Sequence, residues 1–139
     1  MEVTVNYWAV LAAAASSMMV GGIWYSMSVF GKTWSKLAKI DMSKNNGSIW
    51  KPLSLTFLCS LITAYVLAHV AYLSNQFFGN SFLQDAVTTA FWLWMGFTAA
   101  RILTHDSFES RPVKLGVLNL GNEFVTIMVM GLIIGWIGS

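Results

Sequence analysis

Long apolar stretches alternate with short polar ones along this chain. Four of the apolar runs are long enough, at about 20 residues each, to cross about 30 Å of hydrocarbon. They cover roughly residues 5–30, 52–74, 82–103 and 113–137. The pattern predicts an all-α, integral-membrane bundle of four transmembrane helices, with residues 1–139 forming a single transmembrane domain. Between the first two runs, Phe30, Trp34 and Leu37 recur at helical spacing while Lys32, Lys36 and Lys39 fall elsewhere on the wheel. This predicts a short amphipathic helix that lies either at the headgroups or packed beneath its own bundle. Asn45-Asn46-Gly47 should break that helix, and Pro52 stands where a first-turn proline is tolerated. Residues 75–81 contain Gly79-Asn80, so spans two and three should form an antiparallel hairpin. THDSFESRP reads as the third connection, with Pro112 at the entry to span four.

Composition agrees with this pattern, since 56% hydrophobic and 10% charged residues lie outside the soluble globular range. The chain carries Glu2 and no Lys or Arg before Lys32, unlike a cleavable leader, so the first span is expected to be retained. All 8 Lys and Arg residues fall in or beside the first and third connections: Lys32, Lys36, Lys39, Lys44 and Lys51, then Arg101, Arg111 and Lys114. That bias places both connections in the cytoplasm and both termini outside the cell membrane. The lysines at 32, 36 and 39 would also meet anionic lipid headgroups, an economical second use that leaves no call for nucleic-acid binding. Tyr7, Trp8, Trp24, Tyr25, Trp34, Trp50 and Trp136 cluster near the expected interfaces, as aromatic belts do.

Small residues recur every fourth position: Ala13, Ser17 and Gly21 in span one, Ala64 and Ala68 in span two, Gly96 and Ala100 in span three, Gly131 and Gly135 in span four. Such stripes let helix backbones approach closely in lipid. They serve either packing within the bundle or, most plausibly at Gly131/Gly135, a homo-oligomer interface.

Two polar groupings interrupt the apolar pattern. Asn119, Asn122, Glu123 and Thr126 sit at i, i+3, i+4 and i+7 and share one side of span four. Glu123 lies roughly 15 Å into that helix at about 1.5 Å per residue. A charge at such depth faces the bundle interior or water. Paired with Arg101 of span three, it would be structural; unpaired, it is a candidate proton acceptor in a transport site. The second grouping is Tyr65, His69 and Tyr72 of span two, expected at the depth of Asp85 and Asn6 as an outer polar face. Within it His69 is either hydrogen-bonded to a neighbouring helix or a titrating group in a vestibule. Ser54, Thr56 and Ser60 can satisfy themselves on preceding carbonyls and discriminate nothing.

Enzyme chemistry finds little support. One Cys59 and two separated histidines, His69 and His105, supply neither a zinc set nor a haem ligand pair, and no cofactor is expected. No phosphate-cradling glycine loop occurs. His105, Asp106 and Ser107 are consecutive, so their side chains diverge.

GGIWYSMSVFGKTWSK at the end of span one, SFESRPVKL before span four and MGLIIGWIG at the end resemble a bacterial membrane family catalogued as domain of unknown function 1761. The resemblance covers almost the whole chain and implies a small four-span protein. No activity comes with it. Two functions fit the residues: a homo-oligomeric transporter or channel with a polar site at Glu123, Asn119 and Asn122, or a non-catalytic membrane scaffold in which Glu123 is locked to Arg101.

Overall fold

A computed structural model describes residues 3–41 and 48–138. Glu2, Lys44 and the expected break at Asn45-Asn46-Gly47 lie outside the described residues. The elements are α1 (Tyr7–Trp24), α2 (Gly31–Ala38), α3 (Trp50–Phe78), α4 (Phe82–Leu93), a π-helical stretch (Trp94–Ala99), α5 (Ala100–Phe108) and α6 (Val113–Ile137). Helices α1, α3 and α6, and the continuous segment Phe82–Phe108, are each long and apolar enough to cross a membrane. The four expected spans are therefore present.

Three boundaries differ from the apolar pattern, each for a local reason. Helix α1 stops at Trp24 because the chain doubles back, with the Phe30 amide donating to the Trp24 carbonyl (3.1 Å) and the Gly31 amide to Ser26 (2.8 Å). A side chain at Gly31 would overlap the Tyr25 carbonyl oxygen, so only glycine allows this turn. Helix α3 runs past Ser74 to Phe78 and ends where Gly79 adopts φ 69°, a left-handed C-terminal residue that costs glycine nothing. Span three stays helical through THDSF, because nothing there removes a backbone donor, and ends before Ser110 at φ 51°.

The amphipathic helix after span one exists as α2. Its Lys32 and Lys36 are exposed, while Trp34 packs edge-on to Tyr25 with ring centroids 5.2 Å apart. Helix α2 rests on α6.

The four spans meet as a ring, α1 on α3, α3 on α4, α4 on α6 and α6 on α1. Their buried apolar cluster is asymmetric: Val10, Ala13 and Ala14 of α1, Ala64, Leu67, Ala68 and Ala71 of α3, Ala86 and Ala90 of α4, and Ile127, Met130 and Ile134 of α6. All lie in the half nearer the α3–α4 hairpin. Alanine dominates because it brings backbones together without side-chain bulk. At that end the Asn6 amide also donates to the Ile137 carbonyl (2.8 Å), tying the start of α1 to the end of α6. In the other half α5 packs on α6.

The small-residue stripes are used inside this bundle. A Cβ on Gly131 would stand 2.9 Å from the Ala90 Cβ, and one on Gly135 would stand 2.7 Å from the Leu83 Cα. Gly131 and Gly135 thus seat α6 on α4, and that face is not free to form an oligomer interface. Ala13 and Ser17 are likewise buried against α3 and α6. Gly21 differs, since a Cβ there would meet nothing within 4 Å.

Replacing Gly135 by Val must push the α4 backbone away, because the obstructing atom is a Cα and cannot rotate aside. The expected loss is about 1–3 kcal/mol, read as a lower unfolding midpoint of the purified protein in detergent. An unchanged or raised midpoint would refute the close α4–α6 contact.

Candidate functional site: a polar cavity in the half-open end of the bundle

Between the spans the structure leaves a half-open cavity of about 550 Å³, within the range of about 300–1,000 Å³ usual for small-molecule sites. Helix periodicity assembles its walls. Helix α1 contributes Ser17, Met18, Gly21 and Gly22, with Tyr25 just beyond its end; α3 contributes Leu53, Thr56, Cys59, Ser60 and Thr63. Thr98 comes from the π-helical stretch, and Asn122, Glu123, Thr126, Ile127 and Met130 from α6. The spacings of three and four residues put each set on one helix face. Gly21 and Gly22 leave the volume empty, since an added Cβ on either would touch nothing within 4 Å.

Glu123 is exposed into this space. Asn122 beside it is only 8% exposed, and its Oδ1 is a buried acceptor with no hydrogen-bond partner. The hydroxyls of the wall are already committed. Thr56 donates to the Pro52 carbonyl (2.8 Å) and Thr63 to the Cys59 carbonyl (3.0 Å). Ser17 bonds the Ala14 carbonyl (2.7 Å), and one further bond of 2.7 Å joins the Ser17 and Ser60 hydroxyls. Among the described residues, no Lys, Arg or His lines the cavity.

The Ser17–Ser60 contact marks the floor. Beyond it the alanine-rich cluster fills the ring, with Met130 and Ile134 each 1% exposed and Leu67 at 0%. The cavity is closed towards the hairpin end.

Towards the basic end lies a second cavity of about 580 Å³, bounded by Trp34, Leu37 and Lys39 on one side and by Arg111, Pro112, Leu115 and Asn119 on the other. Tyr25 lines both spaces. Its hydroxyl donates to the Asn119 Oδ1 (3.1 Å). One hydrogen bond therefore spans the partition between the two.

The polar stripe expected on span four is thus divided by the structure. Asn122, Glu123 and Thr126 line the inner cavity, while Asn119 lines the outer one and holds Tyr25. Arg101 does not join them. It is exposed on α5, and among the described residues the ion pairs are those of Arg111 with Asp106 and with Glu109. A wide π turn precedes Arg101, and one inserted residue rotates the rest of the helix by near 100° at about 3.6 residues per turn. Thr98, within that turn, reaches the cavity in its place, and the expected Glu123–Arg101 lock is absent.

The expected outer polar face is also not one cluster. Asp85, 2% exposed, accepts from the Asn75 Nδ2 (2.8 Å) and the Asn80 Nδ2 (3.0 Å), and the remaining Asn75 proton goes to the Asn80 carbonyl (2.8 Å). Its position in the first turn of α4 adds the favourable end of that helix's dipole. This carboxylate pins the hairpin. His69 instead lies against the Tyr65 ring (5.9 Å), which stacks on Tyr7 (6.4 Å). Tyr72 is half-buried and Asn6 caps α1. Among the described residues no three His, Cys, Asp or Glu side chains are grouped as a metal site would need.

Tyr25, Thr63, Thr98 and Cys59 were not singled out by the sequence as site residues. A lone hydroxyl in an apolar helix satisfies itself on the preceding turn, and nothing local tells which way it faces. The pair Gly21-Gly22, set among bulkier residues, was the one local sign of open space.

The architecture is that of an all-helical protein with four membrane-length spans, packed at one end and hollow at the other around a carboxylate. The chain matches the family described as protein of unknown function (DUF1761) over residues 8–135 and belongs to it. The motifs around WYS and FGKTW had suggested this membership. No curated protein and no solved structure matches the chain.

Proposed function

We propose that this protein is a small membrane transporter whose solute site is the cavity around Glu123. The observation that carries this reading is a carboxylate in an apolar bundle that makes no ion pair among the described residues and lines a cavity of about 550 Å³ beside Asn122 and Thr126. A charge at the middle of a span costs about 2.5–3.5 kcal/mol on insertion scales. A structural role would return that cost through an ion pair, and Glu123 makes none among the described residues. Closure beyond Met130 and Ile134 argues against a standing pore and for a site reached from one side at a time. The bond from Tyr25 to Asn119 joins two residues at the boundary between this cavity and the one nearer the basic end.

The basic end faces the cytoplasm in this proposal, following the lysines and arginines of connections one and three. A cysteine at Ser48, in a chain with Cys59→Ala, is expected to escape an impermeant thiol reagent in intact cells and to react after lysis. Labelling in intact cells would reverse the orientation.

Proteoliposomes carrying the wild-type protein should move protons or cations, and Glu123→Gln should reduce that movement about tenfold or more while keeping its unfolding midpoint, because the amide fills the same space without charge. Equal movement by both proteins, or none by either, would count against the transport reading.

A further inference from the structure

The hydrogen-bond chemistry of the inner cavity narrows what it can hold. A hydroxyl has one proton and two lone pairs. Thr56 and Thr63 spend theirs on backbone carbonyls, and Tyr25 spends its own on Asn119. The Ser17–Ser60 pair has two protons for two bonds, one to the Ala14 carbonyl and one between the two oxygens. Five of the seven hydroxyls in the wall therefore offer an incoming molecule lone pairs only, leaving Thr98 and Thr126 without such a bond. The Glu123 carboxylate adds an acceptor of greater strength, and Asn122 stands beside it with its Oδ1 buried and unpartnered. Acceptors predominate in the wall, and Glu123 is its one Asp, Glu, Lys, Arg or His side chain among the described residues.

Volume decides between kinds of cation. A bare alkali ion would occupy a small part of about 550 Å³ and would need its ligands converged on one point. Here the polar groups line one part of the cavity, while Met18, Leu53, Ile127 and Met130 give it an apolar wall. An apolar wall fits a hydrocarbon body.

We propose that the cavity binds an organic cation bearing N–H donors, a primary ammonium on a compact apolar body, with the ammonium at the Glu123 carboxylate. This rests on the transport reading above and names its substrate class. An ammonium supplies three donors and a charge, which a quaternary cation, a neutral alcohol or a carboxylate cannot match.

The test is equilibrium binding of phenethylammonium to the purified full chain in nanodiscs, by calorimetry. Wild type should bind it; Glu123→Gln should weaken binding about tenfold or more, the scale of a lost charge-assisted hydrogen bond. Glu123→Asp, which keeps the charge, should recover most of the affinity. Tetraethylammonium, 2-phenylethanol and phenylacetate should compete poorly. Equal affinity in wild type and Glu123→Gln, or competition by tetraethylammonium or phenylacetate as strong as by the ammonium itself, overturns the proposal. Failure of the ammonium to bind, with Glu123-dependent flux of another solute intact, removes this substrate class and leaves the transport reading standing. Loss of both removes both.

Discussion

Everything distinctive about this bundle stems from how closely its helices can approach at one end. Gly131 and Gly135 let α6 lie against Ala86, Ala90 and the backbone of Leu83, and alanines of α1 and α3 complete a plug with almost no side-chain bulk. Lipid tails give no hydrophobic incentive for apolar helices to associate, so this close backbone contact supplies the cohesion. The hairpin reinforces it. Asp85, held by two asparagine amides, fixes the turn from α3 into α4.

Packing so tight at one end leaves the other with a different problem. On the basic side of the Ser17–Ser60 contact the space between the helices is not filled. Gly21 and Gly22 face it without side chains, and the π turn of span three brings Thr98 to its edge. π-helical turns recur at functional sites because they alter the helix phase and widen the backbone. Glu123 is tolerable there because its side chain lines this space beside Asn122 and Thr126.

Periodicity along the sequence revealed the spans and the grouping of Asn122, Glu123 and Thr126, since helix spacing alone assigns a face. It also revealed the small-residue stripes, yet could not say whether Gly131 and Gly135 met a neighbour within the chain or a second copy. Arg101 illustrates what was hidden. Its depth suggested a partner for Glu123, but a π turn a few residues earlier changed the direction in which it points. Asp85 was expected on an outer polar face, whereas its burial and its asparagine partners depended on the geometry of the hairpin. The wall hydroxyls were the least legible part, because residues such as Thr56 and Thr63 are satisfied within their own helix and gain meaning only when all four spans place several together.

The central claim is that Glu123 stands in a water-accessible space reached from the basic end and sealed from the other. The native Cys59 lines that space, which makes it a reporter requiring no substitution. The most direct measurement is the rate at which an impermeant thiol reagent modifies Cys59 when applied to either face of sealed vesicles. The account predicts rapid modification from the face carrying connections one and three and slow modification from the hairpin face. Reaction at equal rates from both faces, or only with a reagent that dissolves in the bilayer, would contradict it.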